Sequence, residues 1–285
     1  MIAVRDLTFT YPRTLSPAVR DVSFEVAKGS MLGFLGPSGA GKTTVQNIMI
    51  GLLPVQRGSV KYEGKTLVEM GKSFYNRIGV SFENPNLYEK LTGLENLRFY
   101  GGLFDRPAVS PERLLEMVGL ADAAEKRASE YSKGMRQRLV FARSLVNRPD
   151  ILFLDEPLAG LDPDTAHRIK EVILGEKARG VTIFLTTHNM FVADDLCDQV
   201  AFINEGAMVA LDSPRSLKLK FGQKAVKTEY RAGGDLKSEV LFLDDATDMH
   251  RLNLLVSSGT VETMHSQEAT LEQVFIKLTG RGLSS

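Results

Sequence analysis

The chain is poor in cysteine and carries no excess of charge of either sign. Cys197 is the single cysteine among 285 residues, so no disulfide can form within the chain. That fits a reducing compartment. Lysine and arginine together number 35, as do aspartate and glutamate, and the formal net charge is +0. This balance disfavours a strongly basic nucleic-acid-binding protein, and we expect no nucleic-acid partner.

Long hydrophobic runs are lacking as well. A membrane-spanning helix needs roughly 18 apolar residues in succession, and the longest run near the front is Ile48–Val55. The opening MIAVRDLTFT contains Arg5 and Asp6 and has no apolar core, so we do not expect a signal peptide. No heptad repeat is sustained, which disfavours a coiled coil. We therefore expect no direct membrane insertion, and any role at a membrane must depend on a partner.

The chain does have enough apolar material for a large core. Its residues are 43% hydrophobic and 25% charged, as in ordinary globular proteins. Up to about residue 210, short apolar runs alternate with helical patterns, which predicts an α/β domain. The strongest predicted elements are strands at Ser30–Leu35, Ile151–Leu154 and Val181–Thr187, helices at Lys42–Leu53 and after the cap Asp162, and a hairpin at Val200–Ala210 that turns at Glu205 and Gly206.

Two stretches depart from this alternation. Strand signals vanish over about residues 84–150, where Ser110 marks a helix start, so we predict a mostly helical insertion there. Towards the end, short alternating stretches precede an amphipathic helix at Leu271–Leu278. We therefore predict one α/β domain over residues 1–212 and a small α+β appendage over residues 213–285.

The stretch GPSGAGKTT, residues 36–44, matches the phosphate-loop pattern G-x-x-x-x-G-K-[ST]. It lies between a predicted strand and a predicted helix, which is the context that this motif requires. The glycines allow backbone N–H groups to turn inward around phosphates, Lys42 can reach the β and γ oxygens, and the Thr43 hydroxyl can ligate Mg²⁺. We predict an ATP and Mg²⁺ site whose nucleotide contacts come from the whole loop: Gly36, Pro37, Ser38, Gly39, Ala40, Gly41, Lys42, Thr43 and Thr44.

The stretch ILFLDEP, residues 151–157, supplies the acidic half of such a site. Its four apolar residues predict a buried strand, and Asp155 emerges at the carboxyl end, where sheets of this class bind ligands. We predict that Asp155 holds Mg²⁺, directly or through water, and that Glu156 polarises an attacking water as general base. An isolated Asp-Glu pair is usually a solvated loop. Here the buried strand and the upstream phosphate loop favour the functional interpretation.

These residues, in this order, resemble the nucleotide-binding subunit of ATP-binding cassette (ABC) transporters, over about residues 1–212. SKGM, Ser132–Met135, stands where the family has its signature, and AGLD, Ala159–Asp162, is similar to its D-loop. His188, which ends FLTTH, matches the histidine that senses the γ-phosphate. Tyr11 lies where the family stacks an aromatic ring on adenine, although taken alone a core tyrosine would be the better interpretation. The resemblance implies the fold of a P-loop NTPase cassette, with a mixed-sheet core and a helical subdomain. It also implies that the chain is an ATPase and that His188 is one of its catalytic residues.

Two positions depart from the family pattern. The family usually has glutamine where this chain has Glu83. A glutamate at this position can also ligate Mg²⁺ and act in catalysis, but it adds negative charge near the γ-phosphate. In the signature, Lys133 and Met135 replace a glycine and a glutamine. Ser132 and Gly134 remain, and these offer a hydroxyl and an open backbone N–H at a helix start.

Ser132 and Gly134 therefore form a second anion site in a chain that already has a phosphate loop. The resemblance implies that this site, together with Asp162 of the D-loop, completes the nucleotide site of a second copy in a head-to-tail homodimer. It also implies that the dimer drives an integral membrane permease, which would be gripped between Asn84–Leu91, including Tyr88, and residues near Phe99–Leu103. Ordinary packing of these aromatic residues is an equally good reading.

The end of the chain points to export. Its stretch EATLEQVFIKLTGR resembles the terminus of exporter cassettes whose permease is encoded separately. The resemblance implies a cytoplasmic protein held on the inner face of the cell membrane by the permease. Residues 213–285 carry no catalytic pattern, so a structural role is favoured over a regulatory one.

Two other functions remain open at this point. The first is a soluble ABC protein acting on ribosomes or DNA, although such relatives carry two cassettes or a long coiled coil, and this chain shows neither. The second is a nucleotide-gated regulatory module that barely hydrolyses ATP. Glu156 argues against the second alternative, whereas Glu83 keeps it open.

Overall fold

The computed structural model describes residues 1–105 and 109–280, which divide into two compact units. The first unit is Met1–Leu211, and the second begins at Asp212. In the described ranges, no helix combines the length and the apolar character needed to cross a membrane.

The first unit contains strands β1 to β10 and helices α1 to α7. The strands are β1 (Ile2–Phe9), β2 (Val19–Val26), β3 (Met31–Leu35), β4 (Arg57–Tyr62), β5 (Lys65–Thr66), β6 (Ile78–Ser81), β7 (Ile151–Asp155), β8 (Thr182–Thr187), β9 (Gln199–Asn204) and β10 (Ala207–Asp212). The helices are α1 (Lys42–Met49), α2 (Leu67–Met70), α3 (Gly93–Gly101), α4 (Pro111–Met117), α5 (Lys133–Ser144), α6 (Pro163–Ala178) and α7 (Met190–Leu196). Short 3₁₀ turns lie at Gly71–Arg77, Ala121–Ala123 and Ala128–Glu130.

A six-stranded mixed sheet in the order β10-β9-β3-β8-β7-β6 positions the site. Strand β3 runs parallel to β8 and β9, and β7 runs parallel to β6 and β8. Every residue of β3, β7 and β8 is buried, which explains their continuous apolar runs. The sheet and the helices around it confirm the predicted α/β class. Because the strands are parallel, the ends of β3, β7 and β8 meet at one edge.

A second, antiparallel sheet in the order β2-β1-β4-β5 shares its core with the first. Phe24 of β2 lies 5.4 Å from Phe34 and 5.8 Å from Phe184, measured between ring centroids. Phe153 completes this aromatic cluster, 6.0 Å from Phe184. The sequence interpretation did not include this sheet, because its register shifts and charged positions interrupt simple alternation in β1.

Several predicted elements are confirmed, and one differs in length. The hairpin turns at Glu205 and Gly206, which have φ angles of 49° and 78°, as a tight two-residue turn requires. Asp162 caps α6 by accepting a hydrogen bond from the Thr165 N–H at 3.0 Å. Helix α1, expected to reach Leu53, ends at Met49. Its chain leaves the helix at Gly51, which takes the left-handed conformation with φ 81°.

The second unit contains helix α8 (Pro214–Phe221), strands β11 (Ala225–Ala232) and β12 (Asp235–Phe242), helix α9 (Ala246–Ser257), strand β13 (Val261–Gln267) and helix α10 (Leu271–Thr279). Its three-stranded antiparallel sheet has the order β12-β11-β13. The α+β character and the final helix agree with the sequence prediction. Strand β12 was missed because it lies at an edge with seven of its eight residues not buried, so its hydrophobic alternation is weak.

Candidate active site

The loop between β3 and α1 leaves the start of a helix open. The residue before α1 is Gly41, with φ 105°, and a Cβ added there would lie 2.5 Å from the Ala18 carbonyl oxygen. Only glycine fits this position. Gly41 has no side chain to cap the helix, and the first turn of α1 contains no acidic residue. The N–H groups of this turn are therefore available to an anion, which the helix dipole also attracts.

Lys42 places a buried cation against this loop. The residue is only 8% exposed. Its Nζ donates hydrogen bonds to the carbonyl oxygens of Gly36 at 2.7 Å and Pro37 at 2.9 Å. Burial lowers the pKa of Lys42, and the negative charges of Glu156, Asp155 and Glu83 oppose that shift. The ammonium group thus lies within electrostatic reach of three carboxylates.

Thr43 and Asp155 bring two oxygen ligands together. The Thr43 hydroxyl lies 3.2 Å from Oδ2 of Asp155, which ends β7 and is buried. Burial raises the pKa of Asp155, as does the charge of Glu83, whereas hydrogen bonds from Thr186 and Thr43 and the charge of Lys42 oppose the rise. Hydroxyl and carboxylate oxygens suit Mg²⁺, which usually takes its other ligands from phosphates and water. Among the described residues, no group of three or more His, Cys, Asp or Glu side chains is arranged so that it could hold a metal ion by itself.

Glu156 is held by the end of β8. Its Oε2 accepts a hydrogen bond from the Thr187 hydroxyl at 2.8 Å, and its Oε1 accepts one from the His188 backbone N–H at 2.8 Å. The His188 Nδ1 lies 2.6 Å from the same Oε1. Glu156 is 7% exposed and has φ 47°, a left-handed conformation that costs a non-glycine residue about 1–3 kcal/mol. The fold therefore holds this carboxylate in one place at an energetic cost.

Tyr11 lies beside the phosphate loop. Its hydroxyl is 3.1 Å from the hydroxyl of Thr44, the second residue after Lys42. Its ring packs edge-on against Phe9 with centroids 5.0 Å apart, while the residue stays 38% exposed. An exposed aromatic ring next to the loop is consistent with the predicted adenine contact.

The signature residues lie beside the segment Ala159–Asp162. Ser132 caps α5 by accepting a hydrogen bond from the Met135 N–H at 3.2 Å. A Cβ added to Gly134 would have a single neighbour within 4 Å, a Leu161 methyl carbon at 3.6 Å. No described residue therefore crowds a side chain out of position 134, and the glycine leaves the backbone open to an external group.

The structure thus brings most of the predicted residues to two places. Lys42, Thr43, Asp155, Glu156 and His188 meet at the carboxyl edge of the sheet, and Glu83 is near enough to influence Lys42 and Asp155. Sequence reasoning missed the two threonines before His188. Their signal was the pair of hydroxyl residues ending an otherwise apolar strand, directly before a predicted functional histidine.

Comparisons with known proteins agree with this geometry. Residues 19–159 match the family described as ABC transporter. The fluoroquinolones export ATP-binding protein of Mycobacterium tuberculosis is 50% identical over 285 residues, covering 100% of this chain and 95% of the relative. The Nod factor export ATP-binding protein I of Paraburkholderia xenovorans is 35% identical over 282 residues, covering 92% of each chain.

Solved structures show the same architecture. An ATP-binding subunit of an ABC transporter has a TM-score of 0.70 at 29% identity, covering 78% of this chain and 93% of that one. A dimeric ATP-binding cassette in a post-hydrolysis state, bound to ADP and phosphate, has a TM-score of 0.69 at 26% identity, covering 75% and 98%. The fold, the site and these relatives together show that the chain belongs to the ABC transporter family, as an ATP-binding and ATP-hydrolysing subunit.

Proposed function

We propose that this chain hydrolyses MgATP at the interface of a head-to-tail homodimer and thereby drives export through a separately encoded membrane permease. The observation that carries the chemistry is the buried Glu156 carboxylate, oriented by Thr187 and His188 directly after Asp155. The names of the two relatives above, each an export ATP-binding protein, support the direction of transport. What is exported would be decided by the permease.

The residues at the carboxyl edge divide the proposed chemistry among them. Lys42 and the open first turn of α1 bind the phosphates, with the rest of the loop from Gly36 to Thr44. Thr43 and Asp155 hold Mg²⁺, which when bound neutralises charge on the β and γ oxygens. Glu156 takes a proton from the attacking water, and His188 holds Glu156 and contacts the γ-phosphate.

Glu83 is proposed as an additional oxygen ligand on the metal side of the γ-phosphate. Its negative charge helps to raise the pKa of Asp155 and opposes the lowering of the Lys42 pKa, which supports a role near the proposed metal ligands. The Lys42 ammonium and the metal would offset the repulsion between Glu83 and the nucleotide. Tyr11 is proposed to stack on the adenine ring.

The second copy completes the nucleotide site in this proposal. Ser132 and Gly134 of one protomer, with Asp162 from the adjacent segment Ala159–Asp162, contact the γ-phosphate bound by the other. The open space around Gly134 supports an external ligand there. The similarity to a dimeric cassette with ADP and phosphate bound supports assembly as a pair.

The permease is proposed to dock on an exposed aromatic patch made of Tyr88 and Phe99. These residues are 49% and 46% exposed, and their rings pack edge-on with centroids 4.8 Å apart. Leu103, nearby in the chain, is also exposed. The patch lies in the proposed helical subdomain, residues 84–150 of a cassette spanning residues 1–212. Docking there would hold the protein on the cytoplasmic face of the cell membrane.

Residues 213–285 are proposed to form an accessory domain with a structural role. Their described part has its own small core of Tyr230, Leu241, Leu252 and Leu255. The two alternatives, a soluble ABC-type ATPase and a non-hydrolysing regulatory module, are less well supported. Both relatives described above are named as export ATP-binding proteins, and Glu156 is held as a general base would be.

The role of Lys42 can be tested by Lys42→Ala. We expect MgATP affinity to fall roughly 100-fold, because charge-assisted hydrogen bonds to the phosphates are lost. A titration with a fluorescent ATP analogue measures this, with Lys61→Ala as a control at an exposed lysine of β4. Tight MgATP binding by the Lys42→Ala variant would refute the assignment.

The function itself is tested by Glu156→Gln. Phosphate release should fall at least about 100-fold, because the proton acceptor is lost while shape is kept. The variant should still bind ATP and accumulate as a dimer, as seen by size-exclusion chromatography in MgATP. If it stays monomeric while the wild-type chain turns over normally, the proposed mechanism is wrong.

Permease docking is tested by Tyr88→Ala. Affinity for the permease, sought among membrane proteins encoded beside this chain, should weaken about tenfold or more because an exposed aromatic anchor is removed. Basal ATP hydrolysis should be unchanged. Tyr75→Ala is the matched control, since Tyr75 is 50% exposed and lies outside the patch. Equal permease binding by the two variants would exclude Tyr88 from the interface.

A further inference from the structure

Two consecutive threonines at the end of β8 face two consecutive carboxylates at the end of β7. The parallel register pairs Asp155 with Thr186, and the Glu156 N–H donates to the Thr186 carbonyl oxygen at 3.0 Å. Glu156 follows the strand with a φ of 47°, and its side chain meets the next hydroxyl along β8, that of Thr187. Thr186 therefore contacts Asp155, and Thr187 contacts Glu156.

Thr186 engages the carboxylate proposed to hold the metal. It is fully buried, and its hydroxyl donates a hydrogen bond to Oδ1 of Asp155. The Thr43 hydroxyl lies at the other oxygen, Oδ2, at 3.2 Å. The bond from Thr186 holds Oδ1 and so restricts the rotation of the Asp155 carboxylate, which leaves Oδ2 nearer to the Thr43 hydroxyl than Oδ1, at 3.2 Å against 3.5 Å.

Thr187 engages the proposed general base in a directed way. Its hydroxyl accepts a hydrogen bond from the Asn189 N–H at 3.0 Å and donates to Oε2 of Glu156 at 2.8 Å. The bond from Asn189 occupies a lone pair of the hydroxyl, so its hydrogen points at the carboxylate. The terminal torsion of a glutamate is otherwise broad, and this bond restricts it.

Counting lone pairs identifies the reactive oxygen of Glu156. Oε1 faces two groups of His188, the backbone N–H and Nδ1. With a hydrogen on Nδ1, both lone pairs of Oε1 are used, whereas among the described residues Oε2 accepts only from Thr187 and keeps one lone pair for a water proton. The oxygen oriented by Thr187 is then the one that takes the proton.

We propose that Thr186 and Thr187 are positioning residues with separate tasks in ATP hydrolysis. Thr186 orients Asp155 for the metal, and Thr187 orients Glu156 for the attacking water. This inference rests on the proposed roles of Asp155 and Glu156. It predicts that the two hydroxyls affect different kinetic quantities, although they are neighbours in one strand.

The same strand provides a matched control. Thr182 is buried at the opposite end of β8, and its hydroxyl accepts a hydrogen bond from the Gly29 N–H at 3.0 Å. Thr182→Val therefore removes a bonded, buried hydroxyl from the same strand, away from the carboxylates. Any loss that comes only from weakening β8 should appear in this variant as well.

The experiment compares the wild-type chain with three valine variants, Thr187→Val, Thr186→Val and Thr182→Val. Two conservative variants, Thr186→Ser and Thr187→Ser, keep the hydroxyl groups. For Thr187→Val, we expect kcat to fall about 10–100-fold with little change in KM for ATP, because groups that orient reactive ligands have effects of this size. For Thr186→Val, we expect about tenfold more Mg²⁺ to reach half-maximal rate. Serine should restore both quantities, and Thr182→Val should leave both near wild type.

A readout independent of turnover accompanies the kinetics. In MgATP, Thr187→Val should accumulate as a nucleotide-bound dimer on size exclusion, because cleavage is slowed while binding remains. With a chelator present, all three valine variants should bind a fluorescent ATP analogue as the wild type does. Loss of this metal-free binding in Thr186→Val or Thr187→Val would show general damage to the site and overturn the proposal.

The outcomes separate this inference from the proposed function. If Glu156→Gln abolishes turnover but Thr187→Val retains the wild-type kcat, the role of Thr187 is wrong and that of Glu156 stands. If Glu156→Gln turns over normally, the proposed mechanism fails and this inference falls with it. Equal losses in Thr182→Val and Thr187→Val would assign the effect to strand stability and contradict positioning.

Discussion

The structure depends on burying one cation and two carboxylates at a single edge of a sheet. Removing an isolated charge from water costs several kcal/mol, and the cost falls only when charges of opposite sign and hydrogen-bond partners surround it. Here Lys42 meets two carbonyl oxygens and the charges of Asp155 and Glu156, and each carboxylate meets a threonine hydroxyl. The parallel register of β3, β7 and β8 brings all these groups together. The same strand pairing that forms the sheet therefore also assembles the charged groups of the proposed site.

Helix α5 connects two further parts of the proposed site, the signature residues and the loop that follows Glu83. Ser132 caps the start of α5, and Arg143 lies in its last turn. The Arg143 guanidinium donates to the Asn86 carbonyl oxygen, three residues after Glu83, and lies over the Tyr100 ring at 4.4 Å from the centroid. Burial lowers the pKa of Arg143, and electrostatic interactions with Tyr100 and Tyr88 oppose that shift. The loop that follows Glu83 is therefore tied to the helix whose first turn holds the signature residues.

The sequence predicted the parts of this molecule that follow local rules. The phosphate loop, the buried strand before Asp155 and the cap of α6 at Asp162 each depend on a few adjacent residues, so they were visible without a structure. The bonds from Thr186 and Thr187 were not, because they depend on the register between strands about 30 residues apart. Strand β12 was missed for a related reason: an edge strand with one buried residue in eight lacks the alternation by which strands are recognised. Non-local pairing, in both cases, supplied the information that the residues alone did not carry.

The central claim is that each nucleotide is shared, with the phosphate loop from one protomer and the signature from its partner. Mixing a Lys42→Ala chain with a Gly134→Asp chain tests it most directly, because the added carboxylate fits the open space at Gly134 and repels a γ-phosphate. Random pairing should restore phosphate release to about a quarter of the wild-type rate, because half of the dimers would contain one intact composite site. If each parent folds and pairs but no mixture recovers activity, the shared site is wrong.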